Sequence, residues 1–266
     1  MDPVKAFMNP DFINSRDGRP IRMLAEYLEP KSRFIEAGIQ DTVVFFGSAR
    51  IKSREAAERA LAQARESGGD TARAERALAM SEYYEKTREL SRRLTQWSEA
   101  LPGGEKRFVT CTGGGPGIME AANRGAMEAG GISIGLGISL PKEAGVNDYV
   151  TPSLAFEFHY FFTRKFWFTY MAKAVVAMPG GFGTMDELFE ILTLIQTFKM
   201  KKRMPIVLFG DEYWGRIIDF APLVEAGTIN AEDIALMHRT SSVDDAFEYI
   251  TTQLAETATG GSDLYF

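Results

Sequence analysis

The chain has 266 residues, 45% hydrophobic and 25% charged, a composition that excludes general disorder and supports a buried core without crosslinks. Its formal charge of −6 is the wrong sign for a basic nucleic-acid-binding surface, and a single cysteine with two histidines excludes a disulfide framework and a Cys- or His-built metal site. No apolar run reaches the roughly 18 residues of a membrane helix, and the N-terminus lacks a signal-peptide layout, so a cytoplasmic setting is expected.

Residues 1–40, interrupted by Pro3, Pro10, Pro20 and Pro30, read as an irregular N-terminal arm packed on the domain, with a short helix over 21–28. The first strand is the apolar run 42–46, which ends in Gly47-Ser48-Ala49-Arg50. The Ala-, Glu- and Arg-rich stretch that follows predicts helices over 54–66, an exposed insertion, and 72–100. From there strands at 108–112, 132–138, 174–178 and 205–209 alternate with helices to about 129, over 158–171, to about 200, over 212–225 and over 242–256. This alternation predicts an α/β fold: a Rossmann-like, doubly wound parallel sheet with helices on both faces. The expected organisation is one domain over 41–256, with a partly inserted helical stretch at 52–100 and a loose tail at 257–266.

The glycine content is slightly high, and its placement is informative. Eight of the 25 glycines (47, 113–115, 117, 180, 181 and 183) fall at strand-to-helix turns. Those turns lie at the C-terminal edge of a parallel sheet, where backbone N–H groups and helix N-termini receive anions. The turns are also what tight βα connections require, but two glycine-rich clusters in one chain point to a phosphate-bearing ligand. Neither a G-x-G-x-x-G turn after the first strand nor a Walker loop is present, so dinucleotide and ATP chemistry lose ground.

The segment Pro179-Gly180-Gly181-Phe182-Gly183-Thr184-Met185-Asp186-Glu187 is the sharper signal. Thr184 and Glu187 have capping-box spacing, and that geometry would itself hold a carboxylate over the glycine turn. A carboxylate beside a phosphate cradle suits cleavage of a sugar–base bond, whose oxocarbenium-like transition state an anion stabilises. Upstream, Arg164 and Lys165 lie in an aromatic helix and point about 100° apart, so one of them at most should face a site. Arg164 is preferred for its bidentate fork. His159 and Cys111 read as structural residues.

Taken together, GGGPGIMEAANRGA (113–126), the Arg164-Lys165 pair and PGGFGTMDE (179–187) resemble the LOG family, in its bacterial-type branch. These are cytokinin riboside 5'-monophosphate phosphoribohydrolases, long labelled lysine decarboxylases. The resemblance covers about 42–250 and implies hydrolysis of a nucleoside 5'-monophosphate, AMP or a cytokinin nucleotide, to free base and ribose 5-phosphate. It implies Arg164 and Glu187 as the catalytic pair and Gly180, Gly181, Gly183 and Thr184 as the phosphate grip. Gly114 and Gly115 would line the same pocket, with Glu120 and Lys165 as further substrate contacts. It implies a homodimer or larger homo-oligomer and calls for no cofactor or metal, no nucleic acid and no membrane. The competing expectation is a non-catalytic nucleotide- or cofactor-binding carrier of the same fold.

Overall fold

The structure, a computed structural model, describes residues 3–102, 106–139, 145–202 and 204–258. In chain order the elements are α1 (Pro10–Ile13), α2 (Arg19–Glu36), β1 (Thr42–Phe46), α3 (Arg54–Ser67), α4 (Thr71–Glu99), β2 (Val109–Thr112), α5 (Ile118–Glu128) and β3 (Ser133–Ile138). They continue with β4 (Ala155–Phe158), α6 (Phe161–Met171), β5 (Ala172–Ala177), α7 (Phe182–Gln196), β6 (Ile206–Phe209), α8 (Asp211–Ile217), α9 (Ala221–Glu225), α10 (Ala231–Ile234), β7 (Met237–Thr240) and α11 (Val243–Ala258). The seven strands form one sheet in the order β4-β3-β2-β1-β5-β6-β7, every pair parallel. The chain steps outward from β1 to β4, returns to place β5 against β1, and then steps the other way. This is a Rossmann-like α/β fold, and its topological switch point lies between β1 and β5.

Strand periodicity divides the core. Val44 and Phe46 of β1 face a layer built from α2, α6, α7 and α8, where Phe34, Trp167, Phe168, Leu188 and Trp214 are buried. Val43 and Phe45 face α4, α5 and α11 through Tyr84, Leu90, Leu94, Ile118, Ala122 and Ile250. α4 is thus a core-packed crossover helix between β1 and β2. α3 lies against it through the buried Ala57 and Leu61.

Several elements differ from the sequence expectation. Helix α2 extends over 18 residues because Pro30, which reads as a stop, packs its ring into the core while the helix continues. Residues 155–158 form strand β4 instead of remaining in the loop that precedes the aromatic helix, which starts at Phe161 and not at 158. The helix expected over 212–225 is split into α8 and α9 by an extended Ile218, and β7, whose sequence MHRT carries no strand-like apolar pattern, closes the sheet edge. The tail expected from 257 lies, beyond Ala258, outside the described residues.

Helix α6 has no capping residue of its own; α2 supplies one. The Glu26 carboxylate accepts from the N–H of His159 (2.8 Å) and Tyr160 (3.2 Å) and from Thr163 Oγ1 (2.6 Å), and Trp167 Nε1 donates to the Glu26 carbonyl (3.1 Å). An acid at a helix N-terminus is favoured both by the helix dipole and by the unsatisfied amides there. Glu26→Ala is therefore expected to cost about 2 kcal/mol, observed as a lower urea midpoint at unchanged m-value.

Candidate active site

The C-terminal ends of β1 and β5 open into a cavity of about 720 Å³. Three turns surround it. The turn after β1 contributes Gly47, Ser48, Ala49, Arg50 and Ile51, the turn after β2 contributes Gly113, and the turn after β5 contributes Pro179, Gly180 and Gly181. The β1 turn is stitched to both neighbours: the Ser48 N–H donates to the Pro179 carbonyl (3.0 Å), and the Ser48 carbonyl accepts from the Ile118 N–H (3.1 Å). Met80 from α4, Met119 from α5, and Tyr213 and Ile217 from α8 complete an apolar rim.

Helix α7 starts at the cavity wall. Gly181 is its N-cap, and no side chain caps it. Helix geometry leaves the N–H groups of Phe182, Gly183 and Thr184 without intrahelical acceptors, and Gly183 is exposed with nothing within 4 Å of where a Cβ would stand. The capping box read from Thr184 and Glu187 does not form, because the helix begins three residues before Thr184 would cap it. Thr184 instead lies one turn inside, buried against Gly180, where a Cβ on Gly180 would overlap its hydroxyl. Tyr213 Oη donates to the Gly180 carbonyl (2.8 Å) and fixes the turn from α8.

Glu187 sits on the buried side of α7 and is 6% exposed, yet it lines the cavity. Burial pushes its carboxyl up to about 7; Glu190 and Asp186 add to the rise, and Lys165 and Arg164 oppose it. Arg164 Nη2 donates to Glu187 Oε1 at 3.5 Å, and its guanidinium lies 5.2 Å and 5.6 Å from the ring centroids of Phe161 and Phe168. Chain geometry explains how α6 brings Arg164 here. The 11-residue α6 runs about 16 Å back along the sheet and passes directly into β5, so its first turn lies at the ligand edge.

The other expected contacts are placed differently. Lys165 does not line the cavity. It binds Asp186 and Glu190, both at 2.7 Å, in a shallow groove along the outside of α7 that also contains Phe182 and Phe189. Glu120 accepts from Tyr84 Oη (2.6 Å) and is turned toward α4. Gly114 and Gly115 lie behind the wall, held by Asn147, whose Nδ2 donates to both of their carbonyls at 3.0 Å. Gly114 has φ +71° and packs on Val146 and Gly135, so its glycine serves close packing. Burial pushes the Cys111 thiol up, which disfavours a thiolate. Ser48, Arg50, Met80 and Tyr213 are cavity residues that sequence reasoning did not single out. The first two carried a usable signal, since they immediately follow the central strand.

The site is thus a parallel α/β sheet that brings an uncapped helix N-terminus and a buried acid–guanidinium pair together at its switch point. Residues 119–250 match the family model described as "Possible lysine decarboxylase", the family that the chain's motifs resemble. No curated protein matches the chain in sequence. The chain is similar to the solved structure of the molybdenum cofactor binding protein from the phototrophic bacterium Rippkaea orientalis, at 18% identity over 81% of this chain and 96% of that one, TM-score 0.46. It is also similar to the Moco carrier protein from Chlamydomonas reinhardtii, at 20% identity over 82% and 99%, TM-score 0.47. Among the described residues no helix is long and apolar enough to cross a membrane.

Proposed function

We propose that the protein hydrolyses the N-glycosidic bond of a nucleoside 5'-monophosphate, AMP or a cytokinin riboside monophosphate, giving free base and ribose 5-phosphate. The observation that carries this reading is the Glu187 carboxylate, buried beside Arg164 one turn above the open N-terminus of α7. The 5'-phosphate rests on the N–H groups of 182–184, with Thr184 alongside, where orphan amides and the helix dipole favour an anion. The ribose then lies near Glu187. Water attacks C1', its proton passes to Glu187, and the C1'–N bond breaks with its electron pair leaving on the base. The base takes up a proton from solvent at the cavity mouth. Arg164 holds Glu187 in place and stabilises negative charge on the departing side. The apolar rim of Met80, Met119 and Ile217 receives the face of the base.

A pyridoxal decarboxylase, the chemistry in the family's description, needs a Schiff-base lysine. None of the described residues lining the cavity is a lysine, and Lys165 is held outside it by two carboxylates. Among the described residues, none is placed to anchor that cofactor.

The deciding experiment incubates the protein with a panel of nucleoside monophosphates and measures free base and ribose 5-phosphate. Release by the wild type, lost in Arg164→Ala and Glu187→Ala, is the expected result. Tight nucleotide binding with no release from any substrate would replace hydrolysis with a non-catalytic binding or carrier function. The pH profile gives a second check. Glu187 must be ionised to accept the water proton, so kcat/KM rises with pH, about tenfold per unit below about 7, and levels off above it. A profile flat from pH 5 to 8 would remove Glu187 from the base role.

A further inference from the structure

Helix α6 brings Arg164 to the cavity, yet it does little to hold its own first turn. The side chain of its N-cap, Tyr160, makes no capping bond. The backbone bond that closes the turn, from the Arg164 N–H to the Tyr160 carbonyl, is 3.4 Å long, beyond the usual range. Phe161 and Phe162, the first two residues of the helix, are 52% and 57% exposed, so packing anchors them weakly. Closure comes from α2. The Glu26 carboxylate accepts from the amides of His159 and Tyr160 and from the hydroxyl of Thr163, the residue before Arg164, and so ties both ends of the turn together. One turn further on, Trp167 donates to the Glu26 carbonyl, and the neighbouring Tyr27 ring lies 5.2 Å from Phe166.

The consequence reaches Glu187. Its contact with Arg164, at 3.5 Å, is already at the limit of a hydrogen bond, so a small displacement of the α6 turn breaks it. Burial raises the Glu187 carboxyl, and the two cations that oppose the rise, Lys165 and Arg164, are neighbours at this turn. Both withdraw together when the turn opens. Asp186 and Glu190 on α7 stay, and they favour the protonated form. Arg50 on the β1 turn and Tyr213 on α8 line the same cavity and lie outside α6.

We infer that Glu26 is a positioning residue for the candidate site: by closing the first turn of α6 from the N-terminal arm, it holds Arg164 against Glu187 at the cavity wall. Its effect on turnover rests on the hydrolysis proposed above. Its effect on the charge of Glu187 does not.

Glu26→Gln tests this, because it keeps the shape of the side chain but turns an amide donor toward groups that are themselves donors. The Glu187 titration is followed without substrate by carbon-13 NMR of labelled glutamate carboxyls, with Glu187→Gln assigning the signal. Withdrawing a cation disfavours the carboxylate, so in Glu26→Gln the Glu187 midpoint is expected to rise by about one pH unit over the wild type. The acid limb of kcat/KM moves with it: at pH 6 AMP turnover falls about tenfold, in kcat, while KM changes little because the α7 terminus is untouched. Phe34→Leu is the control. It loosens α2 against Trp167 and Phe156 without touching the Glu26 bonds, and should lower the urea midpoint while leaving the Glu187 titration in place. An unmoved Glu187 midpoint in Glu26→Gln, or an equal rise in Phe34→Leu, would overturn the positioning role. A midpoint that rises in a protein with no turnover of any nucleotide would uphold that role and remove the hydrolysis instead.

Discussion

Glu187→Gln is expected to release base about 10³-fold more slowly than the wild type while resisting denaturant better at pH 8. Both effects have one cause. The carboxylate is placed where it can act on a sugar, and burial there penalises its charge, raising its pKa from 4.5 to about 7. Between those values the folded chain retains a proton that the unfolded chain has released. Stability therefore falls as pH rises from about 4.5 and levels off above about 7. The full difference is about 3 kcal/mol. Glutamine has the same shape and no charge, so it escapes this loss, although Arg164 then lacks its carboxylate and returns part of the gain. Urea unfolding of both proteins should show almost no difference at pH 4 and a variant more stable by about 2 kcal/mol at pH 8. Equal stability at pH 8 would mean that burial does not dominate the Glu187 site. Wild-type turnover by the variant would remove the residue from the chemistry.

The central architecture was legible because buried parallel strands are continuous apolar runs: TVVFF, SIGLGI and AKAVVA announce β1, β3 and β5 without help from tertiary context. The edge strands were not. AFEF merges with the aromatic run that follows it, and MHRT owes its strand geometry to hydrogen bonds with β6 alone. The candidate site divides in the same way. Gly180, Gly181, Gly183, Thr184, Glu187 and Arg164 share one cavity because all are local to a strand end or to the helix flanking it. Lys165 was misplaced because sequence fixes the angle between neighbouring side chains but not which one faces the sheet; its place is set by Asp186 and Glu190 on the next helix. The position of Gly114 and Gly115 depends on Asn147, some thirty residues downstream and pinned also to Asn123 (3.0 Å), a pairing that no local pattern encodes.

Gly183→Ala and Gly180→Ala, three residues apart, should fail in opposite ways. At Gly183 a methyl meets nothing within 4 Å and points into the open cavity, in the first turn of α7. Helix propensity alone makes that substitution stabilising, by up to about 1 kcal/mol. If the phosphate rests on the amides of 182–184, however, the methyl displaces it from one charge-assisted hydrogen bond or more, about 3 kcal/mol, and kcat/KM for AMP falls about 10²-fold. Hydrolysis of adenosine, which has no phosphate to displace, should change little. Gly180→Ala places its methyl on the hydroxyl and Cβ of Thr184, a buried residue whose β-branching restricts its side-chain torsion. The turn must then move, and with it the carbonyl that Tyr213 holds, so a loss of about 2 kcal/mol in stability accompanies the loss of activity toward both substrates. The discriminating measurement is the ratio of AMP to adenosine turnover in Gly183→Ala. A collapsed ratio in a protein at least as stable as the wild type locates the phosphate at the α7 terminus, and an unchanged ratio with AMP turnover intact places it elsewhere.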